Sequence, residues 1–186
     1  MEYKINARVS NRHVHLTKEV YELLFDEELT TKYKLNQIGE YASEQTLTIK
    51  NGNKKIENVR ICGPFRNYNQ IEISKKDARF LGVNPPVRRS GELENTPEII
   101  LETNKNTIKT NGVIIMRRHV HMNEDDALKY GVVNNQKVGI KIDNEKGGIL
   151  DAEVKISKNG YYEVHLDTDD ANACLIEDND EVTLVI

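Results

Sequence analysis

The pentapeptide RHVHL at residues 12–16 occurs again as RHVHM at residues 118–122, and the two copies hold four of the five histidines in the chain. In a β-strand, side chains two positions apart point to the same face, so the two histidines of each copy project together. The valine between them, Val14 or Val120, points the other way, into a core. A single His-x-His is often a chance pair on a half-exposed strand, but two copies favour a metal site. The candidate ligands are His13, His15, His119 and His121.

The fifth histidine belongs to a second repeated segment. Residues 71–78 resemble residues 164–171, and each segment ends in Asp-Ala. In this register Glu72 falls on His165, so each half offers a His-x-His pair and one further ligand. Two histidines with a carboxylate, or three histidines, are ligand sets of open catalytic zinc sites.

Composition limits the classes of function. The chain has 186 residues, 38% hydrophobic and 30% charged, with a net charge of -4. This length suits one compact domain or two small ones, and the mixed charge predicts no nucleic-acid partner. No apolar run approaches the roughly 20 residues that cross a bilayer, and the N-terminus lacks the apolar core of a signal peptide, so we expect no membrane association.

The two cysteines, Cys62 and Cys174, are too few to form a disulfide framework. We interpret them as buried or half-buried free thiols in a reducing cytoplasm. A role as thiol ligand or nucleophile stays open.

The remaining pattern is β-rich, with short helices. Short apolar runs alternate with turn signals such as Asn51-Gly52, Gly147-Gly148 and Asn159-Gly160. One short capped helix follows each ligand segment. We predict a mainly β fold with two small β-barrels related by internal duplication; the alternative is an ordinary β-rich domain without a site. The predicted helix caps are Thr17, Ser74, Asn123 and Asp167.

The two halves differ by an insertion. The His-x-His motifs are 106 positions apart, whereas Glu72 and His165 are 93 apart. About 13 extra residues therefore lie in the first half, and we assign them to the polar, turn-rich residues 26–44, which have no counterpart in the second half.

Several motifs together resemble the PduL-type phosphate acyltransferases, also called phosphate propanoyltransferases, which are associated with propanediol utilisation. The resemblance covers essentially the whole chain, in order. Its motifs are SNRHVHL at 10–16, GPFR at 63–66, QIEIS at 70–74, PVRRSG at 86–91, RHVHM at 118–122 and VHLDTD at 164–169.

This resemblance implies two β-barrels with the active site and two zinc ions between them. One barrel would comprise residues 12–25 and 45–116, with the insertion 26–44, and the other residues 1–11 and 117–186. The resemblance also implies a phosphate-binding role for Arg66. It assigns one zinc to His13, His15 and Glu72, and the other to His119, His121 and His165.

The implied reaction is reversible acyl transfer between coenzyme A and inorganic phosphate, with no side-chain nucleophile. One zinc would hold the sulfur of coenzyme A, and the other would position phosphate or polarise the thioester carbonyl. Arg66 would clamp phosphate through its guanidinium fork. Arg88 and Arg89 would contact the phosphates of coenzyme A, or else belong to a solvated loop. The alternatives are a dinuclear zinc hydrolase acting on a thioester or phosphoester, and a non-catalytic metal-binding module.

The resemblance also bears on location and assembly. Family members that enter bacterial microcompartments often carry an amphipathic N-terminal extension, whereas about nine residues precede the first motif here. We therefore expect a cytoplasmic protein rather than an encapsulated one. A homodimer is one candidate assembly.

Overall fold

The computed structural model describes residues 1–158 and 160–186, and the chain divides into two compact units. One unit comprises Met1–Asn11 and Arg117–Ile186, and the other comprises Arg12–Met116. Strands account for 45% of the chain and helices for 15%, which confirms the predicted mainly β fold with short helices. Asn159, half of one predicted turn, lies outside the described residues.

The strands range from two to eleven residues in length. In chain order they are β1 (Glu2–Ser10), β2 (His13–His15), β3 (Thr31–Lys34), β4 (Tyr41–Asn51), β5 (Lys54–Gly63), β6 (Gln70–Glu72), β7 (Val87–Arg88), β8 (Ile99–Glu102), β9 (Thr107–Thr110), β10 (Val113–Met116), β11 (His119–Met122), β12 (Lys137–Ile142), β13 (Gly148–Ile156), β14 (Glu163–Asp167) and β15 (Glu181–Val185).

The helices begin where the sequence predicted. The described residues form α1 (Lys18–Leu24), α2 (Lys75–Leu81), α3 (Glu124–Tyr130) and α4 (Thr168–Cys174). Each N-cap side chain accepts a hydrogen bond from the backbone N–H three residues further on, which satisfies one of the unpaired donors of the first turn. The four caps are the predicted Thr17, Ser74, Asn123 and Asp167. Among the described residues, no helix is both long and apolar enough to cross a membrane.

The first unit is a closed six-stranded barrel with the order β1-β14-β11-β13-β12-β15. Its core is filled by inward-facing aliphatic side chains, such as Ile5 on β1 and Val120 on β11. Side chains alternate along β1, because Ile5 and Ala7 are buried and Tyr3 and Val9 pack against the same core.

The second unit is a curled half-barrel of nine strands. Eight of them follow the order β7-β10-β6-β2-β5-β4-β8-β9, and β3 pairs with β4. The inserted residues 26–44 form the hairpin between β3 and the start of β4. A separate core fills this unit, with Val14 and Ile61 fully buried.

The internal duplication is visible in the order of the strands. The run β10-β6-β2-β5-β4-β8 repeats the run β1-β14-β11-β13-β12-β15, with the same parallel and antiparallel neighbours. In the first unit β15 also pairs with β1 and closes the barrel, whereas in the second unit β8 pairs with β9 instead. The half-barrel is therefore the same sheet with its closing contact replaced by a hairpin.

Candidate metal centres

Strand register brings the third candidate ligand of each half to the His-x-His motif. β2 runs antiparallel to β6 with His13 opposite Glu72, and β11 runs antiparallel to β14 with His119 opposite His165. Directly opposed residues on antiparallel strands project from the same face at close range. The alignment that matched Glu72 with His165 in the sequence thus corresponds to equivalent positions in two sheets.

The first cluster consists of His13, His15 and Glu72, whose ligand atoms lie within 4.8 Å of one another. His13 Nε2 is 3.6 Å from Glu72 Oε2, and the two imidazole rings are edge-on, with centroids 5.0 Å apart. Two ligand atoms that each lie about 2.1 Å from a tetrahedral ion are about 3.4 Å apart, so this spacing suits a shared metal.

The second cluster consists of His119, His121 and His165, also within 4.8 Å of one another. The Nε2 atoms of His119 and His121 are 3.0 Å apart. The ring of His165 lies 5.1 Å from that of His119 and 4.6 Å from that of His121. Three imidazoles converge here without a carboxylate among them.

Backbone carbonyls fix the proton on one imidazole of each cluster. His15 Nδ1 lies 3.2 Å from the carbonyl oxygen of Cys62, and His119 Nδ1 lies 2.8 Å from that of Arg117. A carbonyl can only accept, so Nδ1 carries the proton and Nε2 keeps its lone pair for a metal. His121 Nδ1 is buried and has no hydrogen-bond partner among the described residues.

Burial favours the uncharged form of two imidazoles in the second cluster. The pKa of His119 lies well below its usual value because of burial, then the proximity of His165 and Lys155. The pKa of His121 is lowered for the same reasons, with burial again the largest and His119 adding to it. Neutral imidazole is the form that binds metals, so the protein supplies the ligands ready for binding at neutral pH.

The donor sets fit divalent zinc. Each offers three nitrogen or oxygen ligands, and three protein ligands leave a coordination position for water or substrate. Sites of this kind can act as Lewis acids or lower the pKa of a bound molecule.

Polar residues that were not predicted from the sequence surround both clusters. Gln70 Nε2 donates to Glu72 Oε1 at 2.6 Å. Tyr161 stacks on His121, and its hydroxyl lies 2.9 Å from His165 Nε2. Extending the internal alignment upstream would have identified both positions, because it matches Gln70 with Glu163 and Tyr68 with Tyr161.

Arg66 lies on the turn after Gly63-Pro64, whose peptide bond is cis. Its Nη2 donates to Glu40 Oε1 at 2.7 Å, and its Nη1 donates to the Tyr68 hydroxyl at 3.0 Å. Glu40 belongs to the insertion, so its contact with Arg66 has no counterpart from which it could be predicted. Gly63 is required at its position because a Cβ there would lie 2.2 Å from the ring of Tyr41.

The two arginines proposed for coenzyme A lie on the loop segment of residues 85–91, in which Arg88 ends the two-residue strand β7 and Arg89 follows it. Arg88 Nη1 donates to the carbonyl of the adjacent Val87, and Arg89 forms an exposed ion pair with Glu92 at 3.3 Å. These are contacts with near neighbours in the chain, and the role of both arginines stays a prediction.

The cysteines are free and buried, as predicted. Burial, together with the negative charges of Glu72 and Glu40, raises the pKa of Cys62 to about 12. The thiol is therefore protonated at neutral pH, which argues against Cys62 as a nucleophile.

Comparison with known proteins extends over both units. A family model described as phosphate propanoyltransferase matches residues 6–177. A phosphate propanoyltransferase of Thermotoga maritima is 44% identical over 182 residues, or 95% of this chain and 87% of that protein. The one of Rhodopseudomonas palustris is 34% identical over 98% of this chain and 82% of its own length. The one of Salmonella typhimurium is 40% identical over 89% and 80%.

Proposed function

The chain belongs to the phosphate propanoyltransferase family and is an acyltransferase, and we propose that it interconverts a short-chain acyl-CoA and phosphate with an acyl phosphate and coenzyme A. A role for metal ions in this reaction is supported by the pair of three-ligand clusters, which lie at equivalent register positions of the two halves. We further propose that each cluster holds one zinc ion, so that the chain carries two.

The ligands divide between the two halves of the chain. His13, His15 and Glu72 would hold one ion, and His119, His121 and His165 the other. When bound, zinc supplies stabilisation of a thiolate and polarisation of a carbonyl or phosphoryl oxygen. The carbonyls of Cys62 and Arg117 hold protons on Nδ1 of His15 and His119, which keeps each Nε2 available as a ligand.

The reaction needs no nucleophilic side chain. A phosphate oxygen forms a bond to the carbonyl carbon of the thioester, and the carbon–sulfur bond breaks. The electron pair leaves with sulfur, and the proton lost from hydrogen phosphate ends on the thiol of coenzyme A. The raised pKa of Cys62 is consistent with direct transfer rather than an acyl-cysteine intermediate.

Arg66 is the proposed phosphate ligand. It lies six residues before Glu72, and Tyr68 and Glu40 hold its guanidinium by one nitrogen each. A guanidinium has five N–H donors, so these two contacts leave donors for a bidentate bond to phosphate. The side chains of Arg66 and Glu40 are 23% and 18% exposed, so their ion pair is largely shielded from solvent. This pairing holds the guanidinium in place.

The competing function is hydrolysis of the thioester by water, with the same ligands. The purified protein is incubated with propionyl-CoA with and without inorganic phosphate, and release of free thiol and formation of acyl phosphate are followed together. We expect thiol release to require phosphate and to match acyl phosphate in amount. Thiol release without phosphate would establish a hydrolase, and metal analysis showing fewer than two ions in active protein would reject the two-zinc centre.

A further inference from the structure

Gln70 is a fully buried polar residue at the edge of the first cluster. Its Nε2 donates to Glu72 Oε1 at 2.6 Å and to the hydroxyl of Ser90 at 3.0 Å. Its Oε1 accepts from the backbone N–H of Gly91 at 2.7 Å. The side chain therefore connects a candidate metal ligand on β6 to the loop of residues 85–91.

The orientation of this amide is determined by its partners. The backbone N–H of Gly91 can only donate, so the atom facing it must be the oxygen of the amide. The nitrogen then faces Glu72, where an ionised carboxylate can only accept. Both N–H groups and the oxygen of Gln70 have partners, and a flipped amide would place like groups against each other at both ends.

The bond to Gln70 also decides which oxygen of Glu72 faces the histidines. Oε1 is held by Gln70, while Oε2 is directed toward His13 Nε2 at 3.6 Å. A carboxylate held in this way presents one oxygen to an ion and keeps the other on its hydrogen-bond partner.

We propose that Gln70 is the positioning residue that orients Glu72 as a one-oxygen metal ligand and anchors the loop of residues 85–91 to the metal cluster. The inference rests on the proposed function only in taking Glu72 as a ligand. Outer partners of this kind typically change metal affinity by about 10- to 100-fold when removed.

The residue at the equivalent position in the other half supports the proposed pairing of Gln70 with Glu72. Glu163 lies opposite His121 as Gln70 lies opposite His15. Where the third ligand is a carboxylate, this position carries an amide that donates a hydrogen bond to it. Where the third ligand is His165, the position carries a carboxylate, whose Oε2 lies 3.9 Å from the imidazole Nε2. An amide donor is the group that a carboxylate ligand needs.

The test compares Gln70→Met with Gln45→Met in the full chain. Gln45 is a buried glutamine of the same unit whose amide bonds to Thr30, so its loss controls for removing a buried amide. Zinc affinity is measured by competition with a chromophoric chelator. We expect Gln70→Met to weaken one of two zinc sites by about 10- to 100-fold and Gln45→Met to leave both unchanged.

Amide hydrogen exchange provides a readout for the loop. Because Gly91 N–H loses its acceptor, peptides that cover residues 85–91 should exchange faster in Gln70→Met than in the wild type or in Gln45→Met. If Gln70→Met does not fold, Gln70→Asn takes its place in the test. Asparagine keeps a polar group in the buried position but is too short to reach both partners, so we expect the same changes with smaller magnitude.

The outcomes separate this inference from the proposed function. Unchanged zinc affinity in folded Gln70→Met or Gln70→Asn overturns the role of Gln70, as does equal weakening of both sites. Unchanged exchange across residues 85–91 overturns the anchoring of the loop. A wild-type protein that binds no zinc overturns the proposed metal centre itself and, with it, the inference.

Discussion

The two metal-ligand clusters have the same backbone but different chemistry. In both, a His-x-His strand runs antiparallel to the strand of the third ligand and parallel to a third strand on its other side. In both, a helix follows the third-ligand strand, with its N-cap at Ser74, two residues after β6, or at Asp167, the last residue of β14. On the third-ligand strands, the polar residues differ at two positions: Gln70 and Glu72 in one half correspond to Glu163 and His165 in the other.

Because of these two differences, the negative charge lies at a different place relative to the metal position in each half. Each half has one carboxylate at these two positions, but Glu72 belongs to the ligand set, whereas Glu163 lies beside it. A divalent ion would carry a net charge of about +1 in the first cluster and +2 in the second before its neighbours are counted. One duplicated scaffold can thus provide two sites of different Lewis acidity with two substitutions.

The largest effect is expected from removing the third ligand of either cluster. Glu72→Ala and His165→Ala should each deplete a different zinc and lower acyl transfer by more than about a hundredfold, because even outer partners of a metal site cost 10- to 100-fold. Metal analysis and the phosphate-dependent assay measure both effects.

Folding of both variants is checked by circular dichroism, since the helix caps are untouched. If Glu72→Ala retains two zinc ions and His165→Ala retains one, only the second cluster is a metal site, and the equivalence of the halves is structural alone.

A smaller effect is expected at Arg66, which has no described equivalent in the other half. Arg66→Lys keeps the charge but loses the fork, so the KM for phosphate should rise about tenfold with zinc content unchanged; a charge-assisted hydrogen bond contributes about 1.5–3 kcal/mol. Steady-state kinetics with varied phosphate measure the change. Arg79→Lys, at an exposed position on α2, is the matched control. Equal KM values for phosphate in all three proteins would leave Arg66 as a turn residue.

The burial of His119 and His121 predicts a pH dependence of stability. In the metal-free protein, His119 and His121 have pKa values lowered mainly by burial, so the unfolded chain binds more protons below its usual histidine pKa of about 6.5. Stability is therefore full above this pH and is lost as the pH falls, by up to about 1.4 kcal/mol per pH unit for each histidine.

Urea unfolding of metal-free protein between pH 7.5 and 5.5 tests this expectation. A variant with His119→Gln and His121→Gln should lose less stability over the same interval than the wild type. Parallel pH profiles for the two proteins would show that other groups dominate.

Local chemistry made much of this arrangement predictable. The period of two in a strand placed the histidines of each motif on one face with Val14 and Val120 in the cores, and the structure buries both valines completely. The helix caps were predictable because their side chains bond three residues away. The equivalence of Glu72 and His165 followed from the repeated sequence itself.

Contacts that join distant segments were not predictable in this way. The hydrogen bond between Gln70 and Gly91 depends on the path by which residues 85–91, which begin with two prolines, return to β6. The ion pair of Arg66 with Glu40 depends on an insertion that has no second copy. Closure of one barrel by β15 and opening of the other sheet at β8 depend on strand pairing across many residues, which apolar periodicity does not specify.

The smallest expected difference between the halves concerns the arginine that precedes each His-x-His motif. Arg12 binds both oxygens of the buried Asp77 carboxylate, at 2.8 and 3.0 Å. Arg118 makes one bond to the Asp170 carboxylate at 2.9 Å, and its Nη1 donates to the carboxylate and the backbone carbonyl of the exposed Asp151 at 2.7 and 3.1 Å.

Arg12→Ala should therefore destabilise the protein more than Arg118→Ala, because it removes both bonds from a buried carboxylate. We expect a loss of about 1–3 kcal/mol for Arg12→Ala and about 1 kcal/mol less for Arg118→Ala in urea unfolding. Zinc content should stay at two in both, since neither arginine is a ligand. Equal losses would mean that the two arginine–aspartate contacts are equivalent in energy despite their geometry, and lost zinc in either variant would assign that arginine to the metal centre rather than to the frame around it.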